Sequence, residues 1–511
     1  MAAVTGLDRL RENVVYNVVG QVVALALSVV AVRLIFLRLG GDVVGVVFFV
    51  LTLSPLFSTA LDLCMSTTVV REVSRNHDRD AAYVRRLCRT TSTMCWSLYA
   101  LGAVLLVLSA PLLVSRWLHV TSLDADAATT MLRLLGIGAL TALPRAFYGS
   151  VLRGLQRMRG PNVIDVAMAG LQQGGAALLL WRGAGSTPVV AWMAACFWLA
   201  TAAYVTVTAR HLGLRAVLPG WSPGVLTRIR GFAGSVFAIS VLSVVSLQLD
   251  KLFVSKLLPV ATFGVYSFIA SLASRALVVS IAIALAAWPA LSALLAGGEP
   301  GRPRQLYRKV QDLQCLLAVP ALALPLYVMG LLAGFAFGGA GTAALVVPLG
   351  LLCLGFCLQS AIRTPITMLI ASGSPGVVAG ASLLSLAVSA PLGLVATARL
   401  GMTGAALTWL LYSLLLSVQL VAHSARRLLY TTPAGWWLAT GRTLGAGLLC
   451  FVPPLALASR LGASDALLAG LYGLACALFL VVCARGLMGD ELRSSVLVLS
   501  RQLRLRLART T

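Results

Sequence analysis

The sequence predicts an all-α polytopic membrane protein of about fourteen transmembrane helices. Two six-helix lobes related by a pseudo-two-fold repeat are followed by two C-terminal helices. Three observations lead there. The chain of 511 residues is 59% hydrophobic and 11% charged, with a mean hydropathy of +0.93, whereas a soluble protein carries about 25% charged residues. Apolar runs long enough to cross a bilayer recur at roughly 35 residues per helix and connection, leaving little for a soluble domain. A basic pattern in the first such run returns 218 residues further on.

The run Val14–Leu37 exceeds the apolar core of a cleavable signal peptide, so it reads as a retained first helix. Five more complete the first set: Val43–Val70, Thr91–Val114, Met131–Leu152, Val163–Trp181 and Val189–Ala209. The second set is Phe232–Ser255, Phe263–Leu295, Leu313–Phe335, Ala343–Ala371, Val377–Ala398 and Met402–Ala422. Thr443–Leu461, with its Pro453-Pro454, and Ala466–Ala484 finish the series. After Gly489, Leu492, Val496, Leu499, Leu503 and Leu507 share one helical stripe, while Arg493, Arg501 and Arg504 lie off it. That pattern suits a basic amphipathic helix lying on the inner leaflet. The expected divisions are therefore 1–210, 211–424, 425–485 and a cytoplasmic tail, 486–511.

Lys and Arg number 40 and Asp and Glu 16, a net charge of +24; only Lys251, Lys256 and Lys309 are lysines. With both ends placed in the cytoplasm, 28 basic residues fall in inner segments, 6 in outer segments and 6 within spans. This split follows the positive-inside rule and requires an even helix count. It accounts for most of the charge without nucleic acid, since cationic loops meet anionic lipid.

The repeat is specific in position. Arg33, Arg38 and Gly45 close the first span and open the second; Lys251, Lys256 and Gly264 do the same for the seventh and eighth, offset by 218, 218 and 219 residues. An even number of helices per repeat keeps both halves in one orientation, with a site between them near the midplane.

Ionisable groups inside a membrane cost about 2.5–3.5 kcal/mol each on insertion scales and mark cavities or partners. The candidates are Arg33, Asp62, Arg133, Arg145, Asp250, Lys251, Arg275 and Arg363. Six are basic and two acidic, a bias that favours an anionic ligand, for which the Arg fork is matched to phosphate. Snorkelling to the interface is an equal reading for Arg33, Arg133 and Arg145. Asp250 and Lys251 point about 100° apart on a helix and need not pair. Arg275 and Arg363 lie deepest and are hardest to assign to the interface.

Other chemistry is missing from the sequence. No phosphate loop is present, and His77, His119, His211 and His423 form no metal pattern. Ten Cys lie mostly in apolar runs, and Cys353 and Cys357, on one helix face, read as buried thiols. Asp124-Ala-Asp126 resembles the Asp-x-Asp of membrane glycosyltransferases, but its outer loop of about fifteen residues is too short for such a domain.

The segment Gln248-Leu-Asp250-Lys251-Leu-Phe-Val-Ser-Lys256-Leu-Leu, then Phe263-Gly-Val-Tyr266-Ser, resembles the seventh-helix signature of O-antigen and exopolysaccharide flippases. Asn17 and Leu39-Gly40…Gly45 resemble their N-terminal pattern. These flippases belong to the multidrug/oligosaccharidyl-lipid/polysaccharide (MOP) exporter superfamily. The resemblance implies a non-enzymatic transporter of the bacterial cytoplasmic (inner) membrane. It would carry undecaprenyl-diphosphate-linked oligosaccharide from the inner to the outer leaflet by alternating access, with membrane lipids around it. Arg275, Arg363, Lys251, Arg33 and Arg145 are then the expected anion contacts, and Asp250 and Asp62 the coupling or cavity acids. No cofactor is implied; a coupling ion (Na+ or H+) or the membrane potential would drive the cycle. A polysaccharide polymerase and chain-length regulator are partners compatible with that role. The alternatives are a lipid II flippase, whose cargo is also a polyprenyl diphosphate, a cation-coupled multidrug exporter, which would favour acidic cavity residues, and a multi-span glycosyltransferase or polymerase.

Overall fold

The computed structural model describes residues 26–487, apart from 63–64, 158, 276, 297–300, 339–341, 426–427, 429–430 and 462–463. The expected amphipathic tail, Asn17 and the first half of the first span lie outside the described residues. The described residues are almost entirely helical, and among them no strand forms beyond an isolated bridge between His119 and Pro259.

The first helices are α1 (26–39), α2 (Gly41–Asp62), α3 (Met65–Asn76), α4 (Ala81–Arg116), α5 (Ala125–Leu140) and α6 (Ala142–Gly154). Next come α7 (Arg159–Trp181), α8 (Ser186–Leu212), the short α9 (Leu214–Val217), α10 (Pro223–Leu257), α11 (Val260–Arg275) and α12 (Leu277–Ala296). The remainder are α13 (Gly301–Phe337), α14 (Val346–Ala361), α15 (Arg363–Ala371), α16 (Pro375–Leu400), α17 (Met402–Ser424), α18 (Pro433–Leu461) and α19 (Asp465–Val482). Twelve spans long and apolar enough to cross a membrane occur among the described residues, and they coincide with twelve of the fourteen expected runs. The other two are the first run, partly outside the described residues, and the seventh, which lies on α10.

Helix ends depart from the sequence expectation in one consistent way. The segment 71–89 reads as a cationic loop, yet α3 continues to Asn76 and α4 starts at Ala81, so Arg71, Arg75, Arg85, Arg86 and Arg89 are helical. Arg302, Arg304, Arg308 and Lys309 likewise form the first turns of α13. Hydropathy marks where the apolar stretch ends, whereas the backbone ladder continues into the interface until a cap stops it. Asp80 supplies one such cap, accepting from the Tyr83 amide at 2.7 Å. Asp124 caps α5, accepting from the amides of Asp126 and Ala127 at 3.2 Å, which gives the Asp-x-Asp pattern a structural job.

The chain forms two compact units. The first runs to Ser267 and takes in Phe335–Gly338; the second holds Phe268–Gly334 and the rest of the chain. In the first unit α3, α4, α6 and α8 enclose a core of Val69, Val73, Leu87, Phe147, Tyr148 and Tyr204. Trp96 Nε1 donates to Tyr148 Oη at 3.1 Å, and Ser92 Oγ lies 3.0 Å from the same oxygen. In the second unit Tyr327, Phe451, Tyr472 and Phe479 pack α13 against α18 and α19.

The first unit also contains a close helix crossing. Gly41-x-x-x-Gly45 on α2 meets Val260, Ala261 and Gly264 at the start of α11. A Cβ built on Gly264 would lie 3.0 Å from the Gly45 nitrogen, and one on Gly45 would overlap the Val260 carbonyl. Small residues four apart let backbones approach this closely in a membrane. The two glycines related by the sequence repeat therefore touch one another. Buried Asp42 holds the adjoining loop to α2, accepting from the Thr121 amide at 2.8 Å and the Leu123 amide at 3.2 Å. From the same loop, the His119 carbonyl accepts from the Val260 amide at 3.0 Å.

Candidate functional site

The ionisable residues expected within spans fall in both units, and each has a distinct local setting. In the first unit, Asp250 is 3% exposed on α10 and its Oδ2 accepts from Tyr266 Oη of α11 at 2.7 Å. Lys251 Nζ lies 3.8 Å from Asp250 Oδ1 and donates at 2.9 Å to the Leu247 carbonyl one turn back. The two neighbours thus pair at long range after all, because the flexible Lys stem folds back along the helix. Asp250 Oδ1 itself accepts no hydrogen bond among the described residues. Tyr266 is fully buried. Its role escapes sequence reading because the pairing is made across the turn between two helices; only its place in the 263–266 motif hinted at it.

Losing the Asp250 acceptor strands a buried Tyr hydroxyl, which costs about 1–3 kcal/mol. We expect Asp250→Leu to lower the thermal unfolding midpoint of the purified protein clearly. Asp250→Asn keeps an acceptor for Tyr266 and is expected to lower it far less.

Asp62 is the last residue of α2 and turns inward on its own chain. It accepts from Ser66 Oγ at 2.6 Å and from the Ser66 amide at 3.2 Å, so part of its capacity serves to start α3. Arg145 follows the hitch at Thr141 that divides the span into α5 and α6; its guanidinium stands 5.9 Å from the centre of the Phe197 ring. Arg33 donates to the Phe335 carbonyl and lies over the same ring at 4.4 Å. Arg133 has a backbone role. Pro111 removes the amide that would bond the Val107 carbonyl within α4, and Arg133 Nε donates to that carbonyl at 3.2 Å.

The second unit holds Arg275 and Arg363. Arg275 ends α11 and is exposed, with no hydrogen bond or ion pair among the described residues. Arg363 begins α15, just after Ile362 interrupts the span Val346–Ala371. Its Nε is buried and finds no partner among the described residues, and neither does Thr364 Oγ1 beside it. Gln311 of α13 is fixed at this junction by donating to the Ala361 carbonyl at 3.0 Å, while its Oε1 has no partner among the described residues. Gln314, one turn further along α13, is 0% exposed, and neither polar side-chain atom has a partner among the described residues. Ser280 and Ser360 pair at 2.9 Å on the preceding turn. Buried polar groups in a bilayer are normally satisfied, and each one left bare costs several kcal/mol in hydrocarbon. The cluster at the α14–α15 junction is therefore built to meet water or a polar ligand. The spans 4 and 10, equivalent in the repeat, are both interrupted, at Thr141 and Ile362, and each carries an Arg within a turn of the hitch. Sequence reading located Arg363 but missed Gln311, Gln314 and Thr364, since neutral polar residues carry no charge signal.

Twelve spans among the described residues, two of them interrupted and several carrying basic residues, define a multi-pass membrane protein. Residues 39–340 match the model of the family described as polysaccharide biosynthesis protein, and the chain belongs to that family. Among solved structures it is similar to the lipid II flippase MurJ in an inward closed conformation, at 13% identity and a TM-score of 0.69, covering 93% of this chain and 100% of that one. It is also similar to an inward-facing multidrug resistance MATE family transporter, at 12% identity and a TM-score of 0.62 over 78% of this chain and 92% of that one. A MOP superfamily transporter from Pyrococcus furiosus, described by a reversed polarity of its binding pocket, matches at 13% identity and a TM-score of 0.58 over 80% of this chain and 92% of that one. At these identities the likeness shows the fold. No curated protein sequence matches the chain.

Proposed function

We propose that the protein moves an undecaprenyl-diphosphate-linked oligosaccharide from the inner to the outer leaflet of a bacterial cytoplasmic membrane, with both chain ends inside. The two lobes, 1–210 and 211–424, alternate access, and helices 13 and 14 with the tail complete the assembly. Arg363 carries this reading: a guanidinium placed at a helix interruption that Gln311 also meets, with a buried Nε that finds no partner among the described residues, matches a diphosphate better than a neutral or cationic cargo. Arg275, Lys251, Arg33 and Arg145 supply the further anion contacts. Asp250 and Asp62 are the acids placed to respond to a coupling ion, Na+ or H+. The membrane potential alone supplies about 2.3 kcal/mol per charge per 100 mV. Membership in a polysaccharide biosynthesis family favours a surface-glycan cargo.

The test is a reconstitution. Liposomes containing the purified protein and a fluorescent undecaprenyl-diphosphate oligosaccharide are assayed for exposure of the sugar to an impermeant quencher. Accelerated exposure over protein-free liposomes is the expected result. No acceleration with this lipid, alongside clear acceleration with lipid II, would move the assignment to a lipid II flippase. Transport of cationic dyes alone would move it to drug export.

A further inference from the structure

Within the first unit, α2, α4 and α10 leave between them a cavity of about 360 Å³. Phe49, Leu113, Trp117 and Leu252 line one end; Ala60 and Val241 line the other. The lining is apolar but for Thr59, and the chemistry of Asp250, Arg275 and Arg363 lies elsewhere. The size is ample for hydrocarbon, since an apolar cavity of about 150 Å³ already takes benzene. Its shape is informative. Phe49 and Ala60 on α2, like Val241 and Leu252 on α10, are eleven positions apart, or about 16 Å of helix. That length is close to one leaflet, half of a hydrocarbon core of ~30 Å.

One end is charged and the other is not. A turn beyond Leu252, Lys256 Nζ donates to the Arg116 carbonyl and lies 5.4 Å from the Trp117 ring centre. Trp117 Nε1 donates to Ser255 Oγ at 3.0 Å, fixing the indole with its polar edge toward the helix end. Lys256 keeps two further N–H donors, and Arg116 beside it is exposed. Asp42, the acid of α2 at this end, is consumed by the 121–123 loop. A one-leaflet apolar slot that ends at Trp, Lys and Arg matches a lipid with one chain in the slot and an anionic headgroup at the mouth.

We propose that this cavity binds one acyl chain of an anionic phospholipid, with its phosphate held by Lys256 and Arg116. The occupant is a resident phospholipid and not the transported lipid, because an undecaprenyl chain is several times longer than the slot. The chain sits between α2 and α10 and so sets how closely these helices pack. The site stands independently of the cargo proposed above.

Native mass spectrometry of the full-length protein in detergent tests it, with phosphatidylglycerol and phosphatidylcholine of equal chains as probes. Wild type is expected to retain phosphatidylglycerol preferentially. Ala60→Trp, at an exposed wall residue, fills the far end and is expected to lower retention of both lipids about tenfold. Lys256→Gln keeps the slot and is expected to lose the preference for phosphatidylglycerol, by about fivefold. Equal retention by wild type and Ala60→Trp, or recovery of a polyprenyl lipid in place of phospholipid, overturns the proposal. A measurement without cavity filling backs this up. Phosphatidylglycerol brominated along its chain, at near-equimolar ratio, should quench the Trp117 emission, taken as wild type minus Trp117→Phe. Absence of that quenching also overturns it.

Discussion

Replacement of Arg363 by alanine is expected to lower glycan export sharply while leaving the protein folded and at normal abundance in the membrane. A hydrogen bond to a charged group contributes about 1.5–3 kcal/mol, so losing a bidentate contact to a diphosphate predicts a transport loss of about ten- to a hundredfold. Stability should hold or rise, because the guanidinium Nε is buried without a partner among the described residues and its removal relieves a desolvated charge. Arg363→Lys separates shape from charge: a point charge restores part of the activity, whereas the fork restores all of it. Arg275→Ala is expected to act in the same direction with a smaller effect, since that side chain is exposed. Surface-glycan export, read beside immunoblots of membrane fractions, distinguishes these outcomes. Normal export by the Arg363→Ala, Arg275→Ala double variant at normal abundance would remove both residues from the mechanism.

The second large effect belongs to Gly45. A methyl group there would overlap the Val260 carbonyl, a backbone atom that no rotamer change can move. Overpacking of a close contact costs about 1–3 kcal/mol and sometimes more, and here a Cβ on the partner Gly264 would likewise lie 3.0 Å from the Gly45 nitrogen. We expect Gly45→Ala to lower the unfolding midpoint in detergent by several degrees, and Gly45→Val to leave little folded protein. The matched control is Gly170→Ala in α7, where a Cβ meets nothing within 4 Å. Alanine's better helix propensity, about 1 kcal/mol, should leave that variant as stable as wild type or more so. Equal behaviour of Gly45→Ala and Gly170→Ala would show that the α2–α11 crossing tolerates separation.

Much of the fold was legible because a bilayer simplifies the code. Backbone groups must be satisfied internally, so apolar runs become helices; twelve of the expected runs are spans among the described residues. The boundaries were less legible. α3, α4 and α13 run on through Arg-rich segments because capping, as by Asp80, ends a helix and hydropathy does not. The candidate site was half legible. Charges such as Arg363 and Asp250 stand out against an apolar background, while Tyr266, Gln311 and Gln314 gain meaning only from what lies beside them.

The sequence by itself determined the membrane class, the helical spans and the positions of charges too costly to be incidental, since each follows from transfer free energies summed along the chain. Tertiary structure alone decided the partners. It set Tyr266 on Asp250, Arg133 on the carbonyl freed by Pro111, and Gly45 against Gly264. Contacts between residues distant in sequence depend on how helices cross. That is fixed by packing over many side chains at once, which no local pattern encodes.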